Sequence, residues 1–218
     1  MTDGVFIARV APTGRDAAYD FHTSSLGDFV LPMARNQFFE LVDAGQLLSL
    51  HRDAELVGLC YFAPDGKGLD EIARWELGGL HLAPIARGFG LATVLLKVAV
   101  AEALCAEPRP VMGYVHQENE AVRSVLLRLG FAPTGRTLRL GPDEARGFLR
   151  RDAAGLTTAD VLTIPPAALY LLADWVETVD DKTFDSRVEV ALSDDLWRDG
   201  RADVAAAVRL AADAQPIG

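Results

Sequence analysis

Residues 80–104 read LHLAPIARGFGLATVLLKVAVAEAL: a short apolar strand, the turn Arg87-Gly88-Phe89-Gly90, and a helix that is apolar almost throughout. The glycines decide how such a strand–turn–helix passage works. Gly88 and Gly90 carry no Cβ and reach backbone conformations closed to other residues, so a ligand can approach the chain itself. The following helix points its unpaired N–H groups and the positive end of its dipole at the same place. Together these features predict a site for a phosphate or diphosphate group, with Arg87 adding a positive charge. A dinucleotide fingerprint would need a third glycine where Thr93 stands, and a P-loop would need Gly-Lys-Ser/Thr; the chain has neither.

Just upstream, the strand from Arg74 to Leu82 changes phase. Trp75 and Leu77 are apolar at odd positions, Leu80 and Leu82 at even ones, and the change falls at Gly78-Gly79. A regular strand keeps one phase, so an extra residue there predicts a β-bulge. The bulge places Glu76 and His81 on one face, opposite the leucines, splays the strand from its neighbour and frees backbone groups for a ligand. A flexible glycine pair in a weak strand is the alternative.

Working outward, Val5 to Val10 reads as a first strand. Residues 19–45 read as mostly helical, interrupted near Pro32 and ended by Gly45. Residues 46–62 read as two strands about a turn at Arg52-Asp53-Ala54, followed by the loop APDGKG. Leu91 to Ala106 is a helix, Val111 to His116 a strand and Glu120 to Leu129 a helix.

Two motifs in this order carry a family resemblance. Arg87-x-x-Gly90-x-Ala92, approached by LHLAP, resembles the acyl-CoA signature of the GNAT superfamily of N-acetyltransferases, and NEAVRSVLLRLGF (Asn119 to Phe131) is similar to that family's second hallmark. The resemblance covers roughly residues 5–135. It implies an α/β fold: a mixed, strongly twisted sheet with helices on both faces and acetyl-CoA in a V-shaped opening between the strands ending at Leu82 and Val115. It further implies that the turn Arg87, Gly88, Phe89, Gly90, Leu91, Ala92 holds the diphosphate, and that Leu80, His81 and Leu82 bond the pantetheine arm. Asn119 matches an asparagine that contacts the cofactor, and also fits an N-cap for the helix from Glu120. No metal is implied.

Acetyl transfer to an amine requires that the ammonium, with a pKa of ~10.4, lose a proton, that the thioester carbonyl be polarised and that the leaving thiolate be stabilised. The family does this by direct attack in a ternary complex. Glu76, placed like a glutamate of some family members, is the first candidate general base, acting through a water; a solvated glutamate paired with Arg74 is the alternative. His116, at the end of the next strand, is a second candidate, and His81 a third if the bulge forms. His22 and His51 have weaker claims. The family's usual general acid, a tyrosine in the helix after the asparagine, falls at Leu126, and the nearest hydroxyl, Ser124, lies on a different face. A catalytically silent acyl-CoA-binding module with a sensing or assembly role is therefore the alternative to the enzyme.

The remaining composition narrows the class. The net charge is −10, against a nucleic-acid partner and compatible with a cationic acceptor. Cys60 and Cys105 both read as buried small hydrophobes, which suits a reducing cytoplasm. The N-terminus does not read as a signal peptide, and the apolar run Leu91 to Cys105 is too short for a membrane span. Division at residue 138 leaves a transferase domain, 1–138, and an extension, 139–218. In the extension we expect a strand to Ile164, a helix opened by Pro166 with Leu169, Leu172, Ala173 and Val176 inward and Tyr170 and Trp175 flanking, a strand with Val188, Val190 and Leu192 on one side, and a last alanine-rich helix. This extension packs on the first domain or forms a homodimer interface, and is placed to close the acceptor pocket or bind a partner; Asp180, Asp181, Asp194 and Asp195 are available to attract a cationic acceptor.

Overall fold

The computed structural model describes residues 4–24, 27–66, 70–141, 155–179, 188–197 and 200–215. In chain order the elements are β1 (Val5–Arg9), α1 (Arg15–Ser24), α2 (Arg35–Asp43), β2 (Leu47–Arg52), β3 (Glu55–Pro64), β4 (Trp75–Leu82), α3 (Leu91–Ala106), β5 (Val111–His116), α4 (Glu120–Arg128), β6 (Ala132–Leu140), β7 (Thr157–Thr163), α5 (Pro166–Thr178), β8 (Val190–Leu192) and α6 (Arg201–Ala214). The helical stretch expected over 19–45 is two helices, the first starting earlier at Arg15. Pro32 lies in the non-helical passage between them, because its ring and missing N–H cannot continue a helix.

One eight-stranded sheet runs in the order β6-β7-β5-β4-β3-β2-β1-β8. β1 to β4 pair antiparallel. β5 then lies parallel to β4, with α3 as the crossover. The expected division at 138 falls inside β6. Residues beyond it supply β7, which enters between β5 and β6, and β8, which joins the edge beside β1. β6 itself was not foreseen; it is an edge strand whose register slips between Pro133 and Thr137, so it carries no clean alternation.

The bulge forms where the phase change predicts it. β3 pairs Leu59 with His81 and then Tyr61 with Gly78, so Gly79 and Leu80 together face Cys60. Gly79 has φ +62°, a left-handed value that glycine tolerates. The phase change puts Trp75, Leu77, Leu80 and Leu82 on the larger core, while Glu76 and His81 face α1 and α2. β4 and β5 pair only from Trp75–Val111 to Leu77–Gly113; beyond that they part.

The smaller core lies under α1 and α2, around Phe38, Leu41, Val42 and Leu59. The larger one surrounds α3, which buries eleven of its sixteen residues. A helix apolar on all sides needs cover on all sides; the sheet lies on one and α6 packs on another. Both charged residues of α3 turn to the later segments. Lys97 Nζ stands 4.2 Å over the Trp175 ring of α5, and buried Glu102 pairs with Arg9 of β1 and accepts from the Trp197 N–H at 3.3 Å. Cys60 is buried as expected, but Cys105, the next-to-last residue of α3, is exposed. In α5, Trp175 is buried and Tyr170 is exposed. Asp195 lies beside Arg9, and the expected role of Asp180 and Asp181 falls outside the described residues. Among the described residues, no helix is long and apolar enough to cross a membrane.

Candidate active site

Where β4 and β5 part, the sheet opens on a cavity of about 140 Å³, walled by β4 from Glu76 to Leu80, by Tyr114 to His116 of β5 and by Asn119, Val122 and Leu126 of α4. A wider groove of about 560 Å³ runs between β3 and the face of α2 that carries Gln37, Glu40, Leu41 and Ala44. Leu31, Tyr61 and Glu76 line both spaces. The cavity and the groove therefore meet at one carboxylate and one phenol.

Tyr61 reaches Glu76 because of the bulge glycines. Its ring lies over them: a Cβ would stand 2.5 Å from the Tyr61 oxygen at Gly78, and 2.6 Å from Cδ1 at Gly79. Tyr61 Oη donates to Glu76 Oε1 at 3.3 Å. Burial, and then the Glu76 charge, push the Tyr61 phenol well above its ordinary range, so it remains a donor. Tyr114 Oη donates to Asp65 Oδ2 at 2.8 Å, and burial followed by Asp65 pushes this phenol up as well. Arg74, the alternative partner for Glu76, is held by Asp70 at 2.6 Å.

The histidines separate. His116 lines the cavity against Phe29. Its Nδ1 accepts from the Glu118 N–H at 3.1 Å, so the neutral ring carries its proton on Nε2. His81 is turned under α1, outside the cavity lining: it stacks on Phe21 at 5.2 Å, and Nδ1 donates to the Gly79 carbonyl at 2.8 Å. His51 stacks on Phe6 of β1 and bonds Ser49. His22, given a weak claim by the sequence, does line the cavity. Its Nε2 accepts from the Met33 N–H at 3.3 Å, and burial, then His81, lower its pKa to about 4.

This shift fixes a pH dependence. A histidine whose folded pKa lies below its unfolded value of ~6.5 binds more protons when unfolded, so its contribution is present above pH ~6.5 and lost as pH falls toward 4. Between pH 7.5 and 5 the loss is about 2 kcal/mol from His22; His81 and His51, also lowered, act in the same direction. Urea unfolding at the two pH values is expected to show this loss, and His22→Gln to reduce the difference.

α4 presents Asn119, Val122 and Leu126 to the cavity and no hydroxyl. Asn119 caps the helix, its Oδ1 accepting from the Val122 N–H at 3.2 Å. Leu126 is buried against Gly113, and the Ser124 hydroxyl accepts from exposed Arg128 at 2.8 Å.

At the other end of β4 lies the glycine turn. Gly88 and Gly90 have φ of +83° and +85°. The Gly90 carbonyl takes the N–H groups of Thr93 and Val94, no side chain caps α3, and among the described residues no acceptor takes the N–H groups of Phe89, Leu91 and Ala92. Nothing stands within 4 Å of where a Cβ at Gly88 would be. Arg87 is exposed, its Nε donating to the Leu82 carbonyl at 3.0 Å. Arg52 of β2 packs its guanidinium 5.5 Å from the Phe89 ring and bonds the Ile85 carbonyl at 3.3 Å, buttressing the turn.

A slot between parting parallel strands with a carboxylate inside, and a turn of unpaired amides after the strand that walls it, suits a thioester carried on a diphosphate, the chemistry of acyl-CoA-dependent acetyltransferases. The chain belongs to the acetyltransferase (GNAT) family, whose family model matches residues 15–131. No curated protein matches it significantly. Among solved structures, the fold is similar to a GNAT-family acetyltransferase from Streptococcus pneumoniae (14% identity, 73% of this chain and 99% of the other, TM-score 0.56). It is also similar to Arabidopsis thaliana NAA60 in complex with a bisubstrate analogue (17%, 73% and 98%, 0.54). A third is the diaminobutyrate acetyltransferase of Paenibacillus lautus in complex with L-2,4-diaminobutyric acid and coenzyme A (14%, 74% and 95%, 0.52).

Proposed function

We propose that the protein transfers an acetyl group from acetyl-CoA to a primary amine of a small molecule or a protein, by direct attack in a ternary complex in the cytoplasm. The observation that carries this reading is the meeting of two spaces at Glu76 and Tyr61: one suits the thioester, the other an acceptor. The unpaired N–H groups from Phe89 to Ala92 and the exposed Arg87 fit the diphosphate, with Leu80, His81 and Leu82 offering backbone groups to the pantetheine arm. Asn119, on the α4 side of the cavity, is placed to contact the cofactor.

Among the described residues, the charged side chains lining the groove are Glu40 and Glu76. A cationic amine is drawn into such a groove and an anion repelled. Glu76, held by Tyr61, takes the proton from the ammonium directly or through a water, leaving a lone pair to attack the carbonyl carbon. With Leu126 in the family tyrosine's place, the His116 Nε2–H on the cavity wall serves the leaving sulfur, the proton arriving from solvent.

The test is a panel of amines in which free thiol release from acetyl-CoA is followed. Alkyl monoamines and diamines are expected to release thiol faster than amino acids of the same length, whose carboxylates meet Glu40. Tight acetyl-CoA binding with no release for any amine or peptide would favour the silent acyl-CoA-binding module.

A further inference from the structure

We propose that His81 is a positioning residue: its Nδ1–H, donated to the Gly79 carbonyl, locks the β4 bulge in the form that keeps the acyl-CoA slot open. The inference rests on the acyl-CoA reading above but assigns His81 work outside the slot, where neither acid–base chemistry nor ligand contact by its side chain is required.

The observations come from different levels of the structure. His81 is 9% exposed, and its ring is fixed by a near-parallel stack on Phe21, at 17° between planes. From that position Nδ1 stands 2.8 Å from the carbonyl of Gly79, two residues back in the same strand. A carbonyl only accepts, so the proton sits on Nδ1. Among the described residues, Nε2 is buried and has no hydrogen-bond partner. An orphaned nitrogen in a site this closed costs free energy, on the order of 1–3 kcal/mol, and the ring gives that up while keeping its bond to the bulge.

The bonded carbonyl belongs to the residue that needs holding. Gly79 has φ +62° and is one of two residues opposed by Cys60 alone; a glycine there has several competing backbone conformations. All peptides described are trans, and in a trans peptide the carbonyl and the next N–H point opposite ways. Fixing the Gly79 carbonyl toward α1 therefore also fixes the Leu80 N–H toward the other side of the strand, where Leu80 and Leu96 line the cavity. One side chain thus sets the phase change that turns Leu80 and Leu82 into the large core and leaves the slot beside β5 unfilled.

Two variants separate positioning from simple packing. His81→Phe keeps a ring against Phe21 and loses the donor. His81→Asn loses the ring and keeps an amide donor near the Nδ1 position. His81→Phe is expected to raise the KM for acetyl-CoA about tenfold and leave the KM for the amine within twofold; this tenfold change is the size of one ordinary hydrogen bond. His81→Asn is expected to stay within about threefold of wild type for acetyl-CoA despite a lower Tm. If the acetyl-CoA KM instead follows Tm, with Asn the worse variant, or if Phe leaves it unchanged, the ring is packing only and the proposal is overturned. Failure of the underlying reading looks different, because the wild-type protein itself would then bind no acetyl-CoA by calorimetry.

Discussion

Glu76→Gln is expected to lower kcat by about 10²–10⁴-fold, the usual contribution of a positioned general base, while leaving the Kd for acetyl-CoA within about twofold. The two halves follow from where the residue stands. Glu76 is the second residue of β4, at the point where the cavity and the α2 groove share a wall. The glycine turn lies beyond the strand's other end, at Gly88 and Gly90, so a neutral amide at 76 touches none of the groups that fit the diphosphate. The amide oxygen still accepts from Tyr61, as Oε1 does at 3.3 Å, so the local structure has little reason to change. What glutamine cannot do is accept the ammonium proton. Steady-state rates with the best amine of the panel, set beside calorimetric titration with acetyl-CoA, check both halves. A variant that keeps its full kcat would move the base to another residue; a variant that loses acetyl-CoA affinity would make Glu76 part of the binding wall.

The contrast between Glu76 and the histidines shows what the sequence discloses and what it withholds. The bulge was legible because it leaves a mark in one dimension: the apolar phase of the strand shifts across Gly78-Gly79, and that shift alone places Glu76 and His81 on a common face. The glycine turn was legible for the same reason, since its glycines and its following helix are contiguous. Tyr61 was not. Its role depends on lying across the bulge from Gly78, and a cross-strand register is set by the turn between β3 and β4, which carries no length-independent signal. His22 was hidden likewise; nothing local tells that α1 lays it over the slot. The fate of His81 needed one more layer, because a shared face does not say which neighbour a ring turns to, and here it is Phe21 of α1.

The residues after 138 make the same point at the scale of the fold. Their strands and helices were visible as periodicities, but β7 enters the sheet between β5 and β6, out of chain order, and no local pattern records such an insertion. An indirect sign was present. The helix from Leu91 is apolar on every side, which a single sheet face cannot satisfy. That excess required a second layer, and α5 and α6 are that layer, with Lys97 over Trp175 and Glu102 bonded by Trp197 marking where it sits.

Acetyl-CoA at about one hundred times its Kd is expected to stabilise the protein by about 2.7 kcal/mol, a rise in Tm of roughly 5–10 °C for a chain of this size. Acetyl-pantetheine at the same concentration, which carries the same thioester and arm without the phosphates, is expected to give less than about 2 °C, because most of the added binding comes from anions on a helix N-terminus. The difference isolates the turn: Gly88 and Gly90 hold positive φ, and the N–H groups of Phe89, Leu91 and Ala92 have no acceptor within the described residues. Gly90→Val places a β-branched side chain at φ +85°, a conformation that costs such residues on the order of 1–3 kcal/mol, and sets a Cβ where the backbone must meet the diphosphate. It is expected to abolish most of the acetyl-CoA shift while leaving the smaller response to acetyl-pantetheine in place. Equal Tm shifts from the two thioesters would locate the binding energy in the slot and leave the unpaired amides of the turn without a ligand.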